Sequence, residues 1–395
     1  MAQLQLPQLP PLPQLGLAAA DWQQFDSFFT FVVRSLGQDL SGDLREALGE
    51  AFLDARYELA NVVAALRAGQ NPVPQLFVNG WQRLSPIMNN ALSALPQQSQ
   101  EEYRNFIAAA DQLVALGQPG SQLGLLQISP DVLRGMARLL EPAASGDPVS
   151  YNLDVDTALR DLLGFGATVP APPAGTKQSR LPRLPLPFFN VEQASVASAL
   201  AAEPDVKKLN SWVPQDSDLE AYLLAVRGLL STLSEQVAGK SKLAEEHKPL
   251  YRHLVFAAGW QESCWRQFVK KGKSLAPLAS ASGDLGLMQV NRNTWRNIYD
   301  VKKLGGDIQY NGAAGGEILE YYLTKHALKK NEHKQPGGHL ARATYAAYNG
   351  GPSHLTRYRA AKQTAELKKV DEAFWEKFQA VSAGRELDVQ RCYEK

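Results

Sequence analysis

The chain is poor in the residues that build metal and nucleotide sites. It has 2 cysteines and 6 histidines among its 395 residues. It contains neither Cys-x-x-Cys nor His-Glu-x-x-His, the spacings typical of zinc sites. The Gly-x-Gly-x-x-Gly and phosphate-loop patterns are absent as well. We therefore expect a protein that works without a metal ion or another cofactor.

Long apolar runs are also missing. No uninterrupted apolar stretch reaches the ~18–20 residues that a membrane-spanning helix needs, so no membrane span is expected. The first 20 residues contain no Lys or Arg, and four prolines interrupt any signal-peptide core there. An export signal is therefore either removed or absent from this sequence.

Lysine is missing from the first 169 residues, which carry 9 arginines and 17 acidic residues. The remaining residues carry 32 basic and 23 acidic side chains. This split indicates either two modules with different partners or two differently composed solvated surfaces. The basic half suits an anionic polymer. Nucleic acid is not expected, because the lysine clusters at 270–273 and 329–330 are typical of solvated loops.

Strand signals are scarce, and residues 76–78 are the only short candidate in the first half. Elsewhere apolar residues recur at three- or four-residue steps, which is the pattern of amphipathic helices. The sequence therefore predicts an all-α protein. The longest irregular segment is expected between Glu262 and Gln289. The predicted helices cover 21–36, 42–68, 75–94, 98–116, 130–141, 154–163, 191–202, 216–238, 244–263, 293–301, 309–329, 338–349, 352–361 and 363–383.

Proline marks two segments that separate these helices into domains. Residues 1–20 form a Gln-, Leu- and Pro-rich lead-in, which reads as extended or disordered chain. Residues 170–187 hold six prolines among small residues, which predicts a stiff linker. We accordingly predict a helical domain of unknown role at 21–169 and a helical catalytic domain at 188–395.

A carboxylate lies on the apolar face of the predicted helix 244–263. Tyr251, Leu254, Ala258 and Glu262 follow one another at helical spacing. Burial disfavours the charged form of a carboxyl group, so the pKa of Glu262 should be raised and the group suits a general acid. The alternative is a buried Glu paired with a basic neighbour. The candidate partners are Arg252, Arg266 and Lys270.

Two further segments carry polar and aromatic side chains. The first, 280–289, contains glycines that permit close backbone approach and ends in Met288-Gln289. Gln289 offers a donor and an acceptor to a sugar, while Met288 is either a soft apolar contact or a core residue. The second, 347–352, reads Ala-Tyr-Asn-Gly-Gly-Pro and ends a helix. Aromatic side chains nearby can stack on sugar rings or pack in the core.

In combination these segments resemble the catalytic domain of soluble lytic transglycosylases, a lysozyme-like family that cleaves murein. The family pattern runs Glu-Ser, Ser-x-x-Gly-x-x-Gly-Leu-Met-Gln, Asn-Ile-x-x-Gly-x-x-Tyr-Leu and Ala-Tyr-Asn-Ala-Gly-Pro. This chain supplies Glu262-Ser263, then 280–289 with the same internal spacing, then 311–319 and 347–352. The stretch from Glu262 to the second block is longer than is usual in the family. The resemblance covers 245–360 and implies a lysozyme-like α-helical catalytic domain.

The resemblance implies cleavage of the β-1,4 bond between N-acetylmuramic acid and N-acetylglucosamine. Glu262 would protonate the leaving oxygen and then deprotonate the muramyl C6 hydroxyl, which gives a 1,6-anhydro end. Tyr348 would orient Glu262, and Ser263 would fix the end of the helix. The implied substrate-binding residues are Ser280, Met288, Gln289, Tyr345, Tyr348 and Asn349.

Two other functions stay open at this stage. A hydrolase of goose-lysozyme type on the same fold would need a second carboxylate. The candidates are Asp284, Asp307 and Glu317. An inactive murein-binding module would use the same cleft to hold the glycan while the helical half recruits an assembly.

The resemblance also sets the expected location and partners. We expect a periplasmic or otherwise exported protein that binds peptidoglycan glycan strands. The first half would shape the glycan path, restrict substrate length or dock a cell-wall-spanning assembly. In an exported protein, Cys264 and Cys392 form either a disulfide that ties the C-terminal tail to the catalytic helix or two independent buried thiols.

Overall fold

The computed structural model describes residues 21–68, 70–117, 128–143, 145–169 and 205–394. The lead-in at 1–20, the linker at 170–187 and the helix predicted at 191–202 lie outside these residues. Helices dominate the described chain, so the prediction of an all-α fold is confirmed. The α-helices are α1 (Trp22–Asp39), α2 (Gly42–Ala65), α3 (Val73–Ala91), α4 (Gln97–Gly117), α5 (Pro130–Leu140), α6 (Thr157–Leu162), α7 (Val206–Leu209), α8 (Leu219–Lys240), α9 (Lys248–Ser263), α10 (Val301–Gly306), α11 (Ile308–Tyr321), α12 (His339–Gly350) and α13 (Ala365–Ser382).

Tighter and wider helical turns complete the helical part of the chain. A π-helix, Tyr322–Leu328, continues directly from α11. Short 3₁₀ helices occur at Leu92–Ala94, Glu245–His247, Glu332–Lys334, Pro352–His354, Arg357–Arg359 and Glu386–Tyr393. Within the described ranges, no helix combines the length and the apolarity required to cross a bilayer.

The described residues group into two compact units, and the first comprises 21–35 and 68–151. It contains most of α1 together with α3, α4 and α5. Its core includes the buried residues Phe28, Phe77 and Phe106, and the Phe28 ring pairs with the rings of the other two. The candidate strand at 76–78 lies inside α3. It forms helix because apolar residues continue at helical spacing beyond it.

The second unit comprises 36–67 and 152–394 of the described chain. It therefore includes α2 and α6, which the sequence assigned to the N-terminal helical domain. In α2, the Arg56 Nη1 atom donates to the Asn293 carbonyl at 2.8 Å, across 237 positions of sequence. In α6, the Arg160 Nη2 atom donates to Glu317 Oε2 at 2.9 Å. The composition predicted a domain boundary at the linker 170–187. The long-range contacts instead place α2 and α6 in the same compact unit as the C-terminal part of the described chain.

Helix α9 lies at the centre of the second unit, where α8, α11, α12 and α13 pack against it. It has proline in its first turn, where the missing N–H costs no helical hydrogen bond. It ends at Ser263 because Cys264 and Trp265 adopt φ values of 53° and 62°. Such values lie in the left-handed region, which a right-handed helix cannot continue through. Glu262 consequently lies in the last turn of a buried helix.

Two small hairpins occupy the segment that the sequence predicted to be irregular. Strand β1 (Phe268–Lys271) pairs antiparallel with β2 (Ser274–Pro277), and Gly272 supplies the positive φ of the two-residue turn. Strand β3 (Asp284–Leu285) pairs antiparallel with β4 (Val290–Asn291). The strands have only two to four residues each, too few to show a periodic pattern in the sequence.

Two of the predicted helices are wrong. Residues 293–300 form turns, with Asn297 at a φ of 65°, and helix begins only at α10, where Asp300 accepts from two backbone N–H groups. Residues 352–361 form the 3₁₀ turns Pro352–His354 and Arg357–Arg359. In both cases side-chain-to-backbone or short-turn hydrogen bonds replace the helical ladder.

Candidate active site

A cleft in the second unit, with a cavity of about 200 Å³, opens beside the C-terminal end of α9. Glu262 is partly buried and lines this cleft. Three of the predicted substrate-binding residues also line it: Gln289, Tyr348 and Asn349. The wall further includes residues of α2 and of the segment from Ser282 to Trp295. The fold thus gathers three separate parts of the chain around the carboxyl group at the end of α9.

Glu262 is a carboxyl group with a raised pKa. Burial raises its pKa from an ordinary value of 4.5 to about 7, and the charge of Asp284 adds to the increase. The hydrogen bond from Tyr345 and the charge of Arg357 act in the opposite direction. No described residue forms an ion pair with Glu262, so the predicted alternative of a structural pair with a basic neighbour does not occur. A substantial fraction of this group is protonated near neutral pH.

Tyr345, and not Tyr348, is the residue that positions Glu262. The Tyr345 hydroxyl donates to Glu262 Oε1 at 2.7 Å. Its ring is almost completely buried and stacks on Phe374 with centroids 3.9 Å apart, so Tyr345 has no face left for a sugar. The Tyr348 hydroxyl donates instead to the Met288 carbonyl at 2.6 Å. The expectation that Tyr348 orients Glu262 is wrong, because the helical step between the two tyrosines turns their hydroxyls to different acceptors.

Ser263 fixes the end of α9, as predicted. Its Oγ donates to the Leu287 carbonyl at 2.6 Å and to the Gly259 carbonyl at 3.1 Å. The same oxygen accepts from the Arg266 N–H at 3.0 Å. One hydroxyl therefore connects α9, the chain that leaves it and the loop at 286–289. It is buried and does not line the cleft.

The Gly286–Gln289 loop is fixed to the second unit by two buried amide side chains. Gln267 Oε1 accepts from the Leu287 N–H, and Asn311 Oδ1 accepts from the Met288 N–H, both at 2.8 Å. Gly286 has a φ of 70° and lies directly against Gln267, so a Cβ there would collide with the amide. Asn311, from the sequence block 311–319, thus supports the loop formed by the block 280–289.

Met288 and Gln289 have opposite environments. Met288 is fully buried, and its side chain packs against Gly259 and Gly315, so it is a core residue of the loop and not part of the cleft wall. Gln289 lines the cleft and donates from Nε2 to the Gly286 carbonyl at 2.8 Å. Its Oε1 atom is left as the acceptor for a ligand.

Ser280 and Ser282 hold Asp284, the second carboxylate of the cleft. The Ser280 and Ser282 hydroxyls donate to Asp284 Oδ2 at 2.5 and 2.6 Å. The Asn291 amide donates to Asp284 Oδ1 at 2.8 Å. Ser280 itself does not line the cavity, whereas Ser282 does. The predicted contact between Ser280 and substrate is thus replaced by a role inside the loop.

The other two candidate carboxylates lie away from the cleft. Asp307 caps α11 by accepting from the Gln309 and Tyr310 N–H groups. Glu317 is buried, where it accepts from Arg160 and from Lys240 at 2.9 Å each. Asp284 is therefore the only one of the three that shares a cleft with Glu262.

Asn349 lines the cleft from the last turn of α12. It is exposed, and its Oδ1 atom accepts from Arg357 Nη2 at 2.9 Å. Arg357 is in turn held by the buried carboxylate of Asp371 at 2.8 Å. This chain of contacts orients the Asn349 amide so that its nitrogen is left to donate to a ligand.

The sequence did not reveal the part that α2 plays. Tyr57, Ala60 and Asn61 line the cleft although they precede Glu262 by about two hundred residues. Thr294, from the turns after β4, was not predicted as a cleft residue either. An unusual feature was available for α2, since Arg56 lies on its apolar face. Nothing in the sequence identified the partner of that arginine.

Cys264 and Cys392 form a disulfide, with Cα atoms 6.1 Å apart. Beside it, the Tyr393 hydroxyl donates to the Cys264 carbonyl at 2.8 Å. These contacts hold the C-terminal 3₁₀ helix against the residue at which α9 ends. The tail is therefore attached two residues from Glu262.

Comparison with known protein families supports the resemblance seen in the sequence. Residues 241–370 match the model of the family described as the transglycosylase SLT domain. This match confirms that the chain contains a lysozyme-like transglycosylase domain, and it supports action on peptidoglycan. It includes α9, the hairpins, α11 and α12, but neither α2 nor α6. Comparisons with curated proteins and with solved structures found no match.

Proposed function

We propose that this protein is a peptidoglycan lytic transglycosylase in which Glu262 carries both proton transfers. The observation that carries the proposal is a cleft carboxyl group whose pKa is raised to about 7 and which a buried phenol holds at 2.7 Å. A group of that pKa is close to the optimum for general acid–base catalysis at neutral pH. The SLT domain match at 241–370 supports the same substrate class.

In the first step, protonated Glu262 acts as the general acid. The bond between C1 of N-acetylmuramic acid and the glycosidic oxygen breaks, and its electron pair stays on that oxygen. Glu262 gives its proton to the oxygen, which leaves as the hydroxyl of N-acetylglucosamine. Positive charge develops at C1, and the negative charge of Asp284 in the same cleft stabilises it electrostatically.

In the second step, the Glu262 carboxylate acts as the base. It removes the proton of the muramyl C6 hydroxyl while the C6 oxygen forms a bond to C1. The product is a 1,6-anhydro ring, no water is consumed, and Glu262 is protonated again for the next cycle. Because the nucleophile is part of the substrate, the protein needs no second carboxylate to activate one.

A hydrolase of goose-lysozyme type is the second candidate, since Asp284 lines the same cleft as Glu262. Such an enzyme would use Asp284 to activate a water. Three side-chain donors already occupy that carboxylate. They leave it few free lone pairs and little freedom to move, which favours the transglycosylase over the hydrolase.

The mass of the product tests this choice. We expect the full chain to release muropeptides from purified murein that each lack one water relative to hydrolysed muropeptides. Digestion in water labelled with heavy oxygen should leave them unlabelled. A lysozyme digest of the same murein is the control, because it takes up the label. Labelled, hydrated products from this protein would assign it to the hydrolases.

Tyr345→Phe is expected to lower kcat about tenfold and to move the alkaline limb of the pH–rate profile upward. Activity of the unmodified protein should fall as pH rises through about 7, where Glu262 loses its proton. The Tyr345 hydrogen bond favours the charged form, so its removal raises the pKa of Glu262 further. The phenyl ring keeps its stacking on Phe374.

Tyr348→Phe is the matched control for that profile. It also removes one buried hydroxyl, but the lost hydrogen bond goes to the Met288 carbonyl and not to Glu262. The alkaline limb should therefore stay in place whatever happens to the rate. An upward shift with Tyr348→Phe and none with Tyr345→Phe would contradict the assignment of Tyr345.

We assign substrate contacts to Gln289, Tyr348 and Asn349, the predicted residues that line the cleft. The two amides suit the hydroxyl and acetamido groups of a glycan strand. We further propose that the protein acts outside the cytoplasm, in the periplasm or after export, where peptidoglycan lies. The first unit is proposed to dock a cell-wall-spanning assembly.

A further inference from the structure

Helix α2 forms part of the cleft wall, although it lies outside the matched SLT domain at 241–370. Tyr57, Ala60 and Asn61 line the cavity together with Glu262. Their spacing of three and four residues puts them on one face of the helix. The side of the cleft formed by α2 is thus supplied by a segment that the family match does not cover.

Hydrogen bonds hold α2 to two other parts of the cleft. The Tyr57 hydroxyl donates to the Tyr348 carbonyl at 2.8 Å, on the last turn of α12. The Ser353 N–H donates to Asp54 Oδ1 at 3.1 Å, just beyond that turn. The Arg56 guanidinium, which is buried, bonds to the Asn293 carbonyl after β4. Because these contacts fix its position, α2 presents its face to the cleft without rearrangement.

Asn61 is the polar group on that face. Its side chain is exposed, and it makes no hydrogen bond to any residue that the structure describes. Ala60 beside it is small and leaves space at the wall. A carboxamide both donates and accepts, which matches the hydroxyl and acetamido groups of N-acetylated sugars. Tyr57, by contrast, has its hydroxyl engaged by the Tyr348 carbonyl.

We propose that Asn61 contacts the substrate, with its carboxamide hydrogen-bonded to a sugar of the glycan strand bound between α2 and Glu262. The proposal rests on the proposed function, because it needs a glycan in this cleft. It makes α2 a determinant of substrate binding in addition to the residues of the SLT domain.

The test compares Asn61→Ala and Asn61→Leu with Asn105→Ala in the full chain, using purified murein as substrate. Asn105 is an exposed asparagine on α4 that does not line the cleft, so it controls for the same chemical change. Loss of one neutral hydrogen bond should raise KM about fivefold in both Asn61 variants, with kcat within about twofold. Asn105→Ala should match the unmodified protein. Leucine keeps the size of the side chain and favours helix, which preserves α2.

Binding is measured separately from turnover by adding Asn61→Ala to a Glu262→Gln background. Less of the double variant than of Glu262→Gln alone should sediment with purified murein. Asn61 variants with unchanged KM and unchanged sedimentation, or with a change in kcat alone, would overturn the contact. Murein cleavage that survives Glu262→Gln would contradict the proposed function instead, so the two failures are distinguishable.

Discussion

Glu262→Gln is expected to lower the rate of anhydro-muropeptide release from murein by about 10³–10⁴-fold. Glutamine has nearly the same shape, and its carbonyl oxygen can still accept from Tyr345, but it can neither donate the required proton nor take one back. The measurement is product release from purified murein at about pH 6. A rate within tenfold of the unmodified protein would remove Glu262 from both proton transfers.

The stability of the same variant tests whether its fold is intact. The pKa of Glu262 in the folded protein is about 7, above its ordinary value of 4.5. The folded protein therefore loses stability as pH rises from about 4.5 to 7, because the buried carboxyl must ionise there. Glu262→Gln avoids this cost, so it should be about 1–3 kcal/mol more stable at about pH 8 and nearly equal at about pH 4. Urea unfolding at the two pH values measures the difference.

A truncated chain that begins at residue 188 is expected to be inactive and to lose cooperative unfolding. It lacks α2 and α6, which belong to the same compact unit as the SLT domain. Without Arg160, Glu317 keeps only Lys240 as a charged partner, and breaking such a buried pair costs about 3–5 kcal/mol. Without α2, the carbonyl of Asn293 loses its guanidinium donor, at about 1–3 kcal/mol. Those losses are comparable with the whole stability of a typical domain, about 5–15 kcal/mol.

The matched control is the full chain with a protease site placed within 170–187. Proteolysis there also separates the N-terminal part from residues 188–395, but the segments 36–67 and 152–169 stay in the sample. Activity on murein should therefore persist. Circular dichroism during thermal unfolding follows the fold in both samples. A truncated chain as active and as stable as the cleaved one would show that α2 and α6 are dispensable.

Most helices of the fold were predictable because they are amphipathic. The predictions at 42–68, 98–116 and 363–383 differ from α2, α4 and α13 by no more than three residues at either end. Their apolar residues recur at helical spacing over several turns, so single residues that depart from the pattern do not change the prediction. The hairpins at β1–β4 escaped prediction because strands of two to four residues are formed by turn geometry and tertiary contacts. The turns at 293–300 escaped for a similar reason, since local side-chain caps outcompete the helix.

The role of a site residue was predictable only where its residue type rarely occurs in such a position for structural reasons. A carboxylate on an apolar face is costly, so the position of Glu262 singled it out, but position alone left a structural ion pair open until the downstream sequence blocks favoured a catalytic acid. The sequence did not show whether Tyr345 or Tyr348 donates to Glu262, because both side chains have the same chemistry and lie three residues apart. Only the packing of Tyr345 on Phe374 decides which hydroxyl reaches the carboxyl group. Met288 likewise reads either as core or as a ligand contact until its burial is known.

The helical class, the acidic group and the order of the four blocks were predictable, since each depends on spacing along the chain. The distant segments that complete the cleft became visible only in the folded protein. Arg56 and Arg160 are buried charges, and each is tolerable only where a specific partner satisfies it. Those partners lie 237 and 157 positions away. Because pairing at such distances is set by the packed chain and not by local pattern, only the folded protein shows that α2 and α6 belong to the same compact unit as the SLT domain.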